Sequence, residues 1–201
     1  MTQPRNLLQR IAVMLLATAL LTLAGCGNPQ PWGLKDITGL MPDLQFTLTD
    51  QSGKTVHAMD YRGKALLLYF GYTHCPDVCP TTLATLAQAL KALGKDADAV
   101  RVLFVSVDPA RDTSEVLNDY VRAFGPQFVG LSGDEATLRS LAKRYRVTYA
   151  LDKPDAQGDY TVSHSSAVFV FDPQGRVRLL GRGSDAPATI ADDLKRLVAG
   201  A

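Results

Sequence analysis

Residues 65–71 read ALLLYFG, an apolar run bounded by Gly63 and Gly71. Neither face of such a run tolerates water, so it predicts a strand covered on both sides of a sheet. VRVLFVSV at residues 100–107 predicts a second buried strand. Between them, Leu83, Leu86, Leu90 and Leu93 recur at three- and four-residue steps with Gly94 just beyond, which predicts an amphipathic helix over Cys75 to Leu93. Thr113 to Phe124 and Asp134 to Tyr145 read as further helices around a short strand, Phe128 to Leu131. Leu44 to Leu48 and Lys54 to His57 flank a Gln51-Ser52-Gly53 turn and predict an N-terminal hairpin. Ala167 to Phe171 and Arg176 to Leu180 predict a second hairpin, and Pro187 to Val198 a closing helix. Strands alternating with helices place the chain in the α/β class, with a mostly parallel or mixed sheet and helices on both faces.

That fold does not extend to the N-terminus. Arg5 and Arg10 precede an uncharged run of 14 residues, Ile11 to Ala24. At ~1.5 Å per residue the run reaches about 21 Å, short of the ~30 Å hydrocarbon core, so it reads as an export signal rather than a permanent span. It ends Leu23-Ala24-Gly25-Cys26, which resembles the lipobox of bacterial lipoproteins. The expected organisation is therefore a signal peptide at 1–25, acylated Cys26 with a flexible tether through residue 42, and one domain over 43–201. The competing readings of the apolar run are an uncleaved anchor and a buried helix. Without residues 1–25 the chain carries 19 basic against 20 acidic side chains, a formal charge of −1. With no cationic block, nucleic acid is excluded as a partner class.

Acylation of Cys26 leaves Cys75 and Cys79 as the two free thiols of an exported protein, at the junction of a buried strand and a helix, in Gly71-Tyr72-Thr73-His74-Cys75-Pro76-Asp77-Val78-Cys79-Pro80. If the helix begins at or just after Cys75, the thiols share its first turn, about 5–6 Å apart at Cβ, close enough for a disulfide or for one shared metal ion. The unbonded N–H groups of a helix start predict a lowered thiol pKa. A purely stabilising bridge is a weak reading, because so small a loop gains little entropy. Structural zinc lacks a fourth ligand. Of the three histidines, His57 reads as a surface residue, and His74 adjoins Cys75, which turns its ring away from the sulfurs and makes it a supporting or surface residue rather than a ligand. His164 sits just before the apolar strand at Ala167, where loops at one sheet end gather ligands. Asp77 reads as an exposed first-turn carboxylate complementing the helix dipole.

Three separated segments, FGYTHCPDVCPTTL, VSVDPARDT and GDYTVSHSSAVFVFDPQG, resemble the Sco (SenC) family of copper proteins. The likeness runs from about Phe46 to the C-terminus. It implies a thioredoxin-like fold, here with an added N-terminal β-hairpin and a C-terminal hairpin plus helix. It also implies attachment to the plasma membrane of a bacterial cell envelope, with the domain facing the periplasm or exterior. The implied function is binding of Cu(I) or Cu(II) and help in assembling the dinuclear copper centre of cytochrome c oxidase. Partners would be the copper-site subunit of that oxidase and a periplasmic copper donor or thiol reductant. Carried over residue by residue, the ligands are Cys75, Cys79 and His164, and Asp108 supports the metal or a partner contact, against its plain reading as a turn residue before Pro109. Two thiolates and one imidazole form a soft set suited to Cu(I). Ser163 departs from the family pattern, in which many members have an acidic residue before the histidine. The alternative is a thiol–disulfide oxidoreductase, although such enzymes usually carry C-x-x-C. Peroxidase chemistry is disfavoured because Tyr72 and Pro76 stand where its threonine is needed.

Overall fold

A computed structural model describes residues 30–156 and 159–200. The expected signal peptide and Cys26 lie outside the described residues. Strands β1 (Lys35–Asp36), β2 (Thr47–Asp50), β3 (Thr55–His57), β4 (Ala65–Gly71), β5 (Val100–Ser106), β6 (Phe128–Ser132), β9 (Ala167–Phe171) and β10 (Val177–Arg182) form one sheet in the order β1-β10-β9-β4-β5-β6-β2-β3. A separate ribbon pairs β7 (Tyr149–Leu151) with β8 (Val162–His164). Helices α1 (Val78–Leu93), α2 (Ser114–Arg122), α3 (Glu135–Arg144) and α4 (Pro187–Val198) complete a thioredoxin-like α/β architecture. None of the described helices is long and apolar enough to cross a membrane.

The apolar runs take the centre, as their composition requires. All seven residues of β4 are buried, and in β5 only Arg101 is not. The two run parallel from Ala65↔Val100 to Gly71↔Ser106, so both end at the same edge of the sheet. β6 continues the parallel set, and β9 and β10 add antiparallel strands on the other side. The N-terminal hairpin forms around Gly53 and joins β6 through β2. α1 packs on α4, and α2 lies over β6 so closely that a Cβ on Gly130 would stand 3.3 Å from Leu117 and Val121. Thr113 and Asp134 accept N–H bonds from Val116 and Thr137, capping α2 and α3.

Two boundaries differ from the sequence reading. The tether expected through residue 42 gives way to structure from Trp32 onward. Leu34 and Ile37 are buried, β1 pairs with β10, and the Asp193 carboxylate on α4 accepts the N–H groups of Gly33 (3.1 Å) and Leu34 (2.7 Å). Trp32 lies under the Arg196 guanidinium at 3.9 Å. Two apolar side chains spaced among glycines and prolines suffice to bind this stretch, because a neighbouring edge strand and a buried carboxylate satisfy its backbone. Helix α1 starts at Val78, not Cys75. Cys75 instead closes a turn, its N–H on the Tyr72 carbonyl at 3.3 Å, and Asp77 flanks the helix with non-helical dihedrals.

Candidate metal centre

The site forms where β4 runs out. Gly71 ends the strand, Tyr72 to Asp77 turn, and α1 begins with Val78 and Cys79. Cys79 is fully buried and Cys75 partly open, and both are free thiols. The Cys75 Sγ accepts the Cys79 N–H at 3.4 Å, so the unbonded donor of the helix start points at a sulfur. Gly71 makes room for the other. A Cβ there would stand 2.8 Å from the Cys79 Sγ and 2.7 Å from the Phe104 ring, so no side chain fits between strand and sulfur.

His164 arrives on β8, far away in sequence. Its Nδ1 lies 3.0 Å from the Ser165 carbonyl, and since a carbonyl only accepts, Nδ1 carries the hydrogen. Nε2 then presents its lone pair to the Cys79 Sγ at 3.1 Å. The three ligand-type atoms of Cys75, Cys79 and His164 lie within 4.8 Å of one another, the one such cluster among the described residues. Tyr69 and Tyr72 stand edge-on to the imidazole at 6.0 and 5.9 Å. The Tyr69 hydroxyl reaches the Cys79 sulfur at 3.6 Å, and the Tyr72 hydroxyl accepts the Val162 N–H.

Burial decides the protonation states. It pushes the Cys79 thiol up to about 12, overriding the Tyr72 N–H that acts the other way and correcting the expectation of a lowered pKa for this cysteine. The helix-start effect is real but small, and removing a sulfur from water outweighs it. His164 is lowered from 6.5, also by burial. Without metal the pair is therefore a thiol donating to a neutral imidazole. Both shifts make stability pH-dependent. A histidine held below its unfolded value contributes stability above about pH 6.5 that is lost as acid protonates it, and a thiol held above its unfolded value of about 8.5 contributes stability that is lost as pH rises toward 12. The urea midpoint of the metal-free protein is expected to fall on both sides of that window. His164→Gln should flatten the acid limb, and an unchanged limb would contradict the buried, neutral ring.

The other sequence-picked residues sort clearly. His74 is half exposed, hydrogen-bonded through Nδ1 to the Thr73 hydroxyl at 3.0 Å, and outside the cluster. Asp77 is exposed and accepts from Thr81. His57 pairs with Thr47 on the outermost strand, β3. Asp108 is fully buried and binds Arg111 and Tyr160. Sequence reasoning missed Asp112, which is buried and accepts from Ser106 (2.5 Å) and from the Thr73 hydroxyl (2.6 Å). The signal for it is the VSVDPARDT motif, which carries Asp112 as well as Asp108.

The chain matches the SCO1/SenC family model over residues 41–199. It is 36% identical over 156 residues to the mitochondrial SCO2 homolog of Bos taurus, a stretch covering 77% of this chain and 59% of that relative's length. Among solved structures, Bradyrhizobium japonicum ScoI with copper bound is 43% identical, with a TM-score of 0.71 over 77% of this chain and 98% of that one. BsSco is described as a member of the Sco family of cytochrome c oxidase assembly proteins in which a disulfide switch was identified. It is 25% identical, with a TM-score of 0.64 over 84% of this chain and 98% of that one. With the sheet order, the strand-to-helix cysteine pair and the distant histidine all in place, these matches establish that the chain belongs to the SCO1/SenC family.

Proposed function

We propose that this protein carries a single copper ion on Cys75, Cys79 and His164 and assists assembly of the dinuclear copper centre of cytochrome c oxidase. The observation that carries this reading is the convergence of two sulfurs and one oriented Nε2 within 4.8 Å. The donors fit the ion. Two thiolates and an imidazole are soft, three-coordinate and of the type that selects Cu(I), and a further donor completes a Cu(II) site. Copper is cargo here, and the partly open Cys75 gives a recipient thiol access to it. Attachment to the bacterial plasma membrane through acylated Cys26, with the domain outside the cytoplasm, is part of the same proposal and is supported by the lipobox-like LAGC sequence.

In an anaerobic competition titration the protein is expected to bind Cu(I) at 1:1, and His164→Ala is expected to lower affinity and change the Cu(II) EPR spectrum. A His164→Ala variant matching wild type in Cu(I) affinity, Cu(II) affinity and spectrum would exclude the imidazole as a ligand.

The unequal burial of the sulfurs also supports a second reading, thiol–disulfide exchange. An accessible Cys75 would attack a partner disulfide, and the buried Cys79, beside an unprotonated Nε2 that can take its proton, would resolve the mixed disulfide and release the partner's thiol. Copper and a disulfide compete for the same atoms, so the readings exclude each other at any instant but not over a working cycle.

A further inference from the structure

The VSVDPARDT motif provides no ligand, yet it buries three polar side chains in succession, Ser106, Asp108 and Asp112. The Asp108 carbonyl accepts the N–H groups of Arg111 (3.3 Å) and Asp112 (3.0 Å), folding the segment into one turn between β5 and α2. Two arms leave this turn. Asp112 grips the cysteine loop, accepting from the Thr73 hydroxyl at 2.6 Å and the Thr73 N–H at 3.1 Å, two residues before Cys75. Arg111 grips the histidine segment. Its Nε donates to Asp108 Oδ2 at 2.6 Å, its Nη1 donates to the Tyr160 carbonyl at 3.0 Å, and its guanidinium lies 3.5 Å over the Tyr160 ring. The Tyr160 hydroxyl closes the circuit on Asp108 Oδ1 at 2.8 Å, four residues before His164.

We propose that this turn is a bracket that fixes the distance between the cysteines and the histidine, with Arg111 and Tyr160 as positioning residues that keep His164 within reach of the metal. The proposal rests on the copper reading and deepens it. Only a planar fork can donate in two directions while stacking on a ring, so Arg111 is matched to this task in a way lysine is not. Two sulfurs can hold Cu(I) more weakly without the ring, whereas the harder Cu(II) depends more on the imidazole, so the Tyr160 arm would bear chiefly on how well the site retains Cu(II).

The test uses Arg111→Gln and Tyr160→Phe, first in the metal-free, reduced protein. Arg111→Gln is expected to speed amide exchange at Val162, whose N–H meets the Tyr72 hydroxyl, and at Ser165, whose N–H meets the Thr148 carbonyl at 3.2 Å, by roughly tenfold or more and to move the His164 Nε2 NMR resonance toward that of a free imidazole. Loaded with copper, it is expected to keep 1:1 Cu(I) binding while its Cu(II) spectrum takes on that of His164→Ala. In the His164→Ala background Arg111→Gln is expected to add nothing, because both act through one ring. Tyr160→Phe should move every readout the same way by less. Wild-type exchange and Nε2 resonance in metal-free Arg111→Gln would overturn the bracket. If that variant fails to fold, unchanged exchange and spectrum in Tyr160→Phe would do so instead. A loosened segment in a protein whose wild type binds no copper would leave the bracket standing and remove the copper reading.

Discussion

Cys79→Ser is expected to weaken Cu(I) binding by more than about 100-fold, since loss of a partner outside the ligand set alone costs 10–100-fold. The serine oxygen is hard, and burial that already disfavours a thiolate disfavours an alkoxide further. Its hydroxyl can still donate to His164 Nε2, so the fold is expected to persist and the far-UV circular dichroism to match wild type. A second signature accompanies the first. Because the thiol is held at about 12, binding Cu(I) must displace its proton, and this group contributes about a tenfold gain in affinity per pH unit below that value. Cys79→Ser should lose that slope. Anaerobic titration at three pH values checks both effects, and a variant binding Cu(I) within about tenfold of wild type would remove Cys79 from the ligand set.

Gly71→Ala is expected to have a large effect for a single methyl group. The added Cβ meets two neighbours at once, the Cys79 sulfur and the Phe104 ring. Both are buried without solvent contact, and Phe104 is wedged between Tyr69 and Tyr120 at centroid distances of 6.1 and 5.4 Å. Overpacking of this kind costs about 1–3 kcal/mol. If the sulfur yields, copper affinity falls with stability; if the ring yields, stability falls alone. Urea unfolding of the metal-free protein, paired with Cu(I) titration, separates the cases. Phe104→Leu in the Gly71→Ala background should restore part of the loss by freeing space. Unchanged stability in Gly71→Ala would show that the strand end shifts freely, against the packing described.

Much of the fold could be read because its centre is written in uninterrupted apolar residues. β4 and β5 need both faces covered, and the leucine spacing of α1 admits one period. The hairpins were found from their turns, with the first strand shifted from Leu44–Leu48 to Thr47–Asp50. The β7–β8 ribbon was invisible because its strands are three residues long and pair across an intervening polar loop, leaving no local pattern. The cysteine pair was legible from its place between strand and helix. His164 was only one of three histidines until the resemblance singled it out, because its approach to the sulfurs is made by a chain segment far from them in sequence. The protonation of Cys79 departs from the sequence expectation for a physical reason. Sequence shows the helix start that favours an anion, whereas the depth at which the sulfur is buried depends on Gly71, Phe104 and Tyr69 converging in space.

Cys79 has no solvent-accessible surface, whereas Cys75 does. A metal ion held between them would have a front and a back. An acceptor approaching from solvent would form its first bond while displacing the front sulfur, and the rear one would let go last. The ion would thus stay bonded to at least one protein atom throughout the exchange, and hand-over would proceed without a moment in which copper is loose in water.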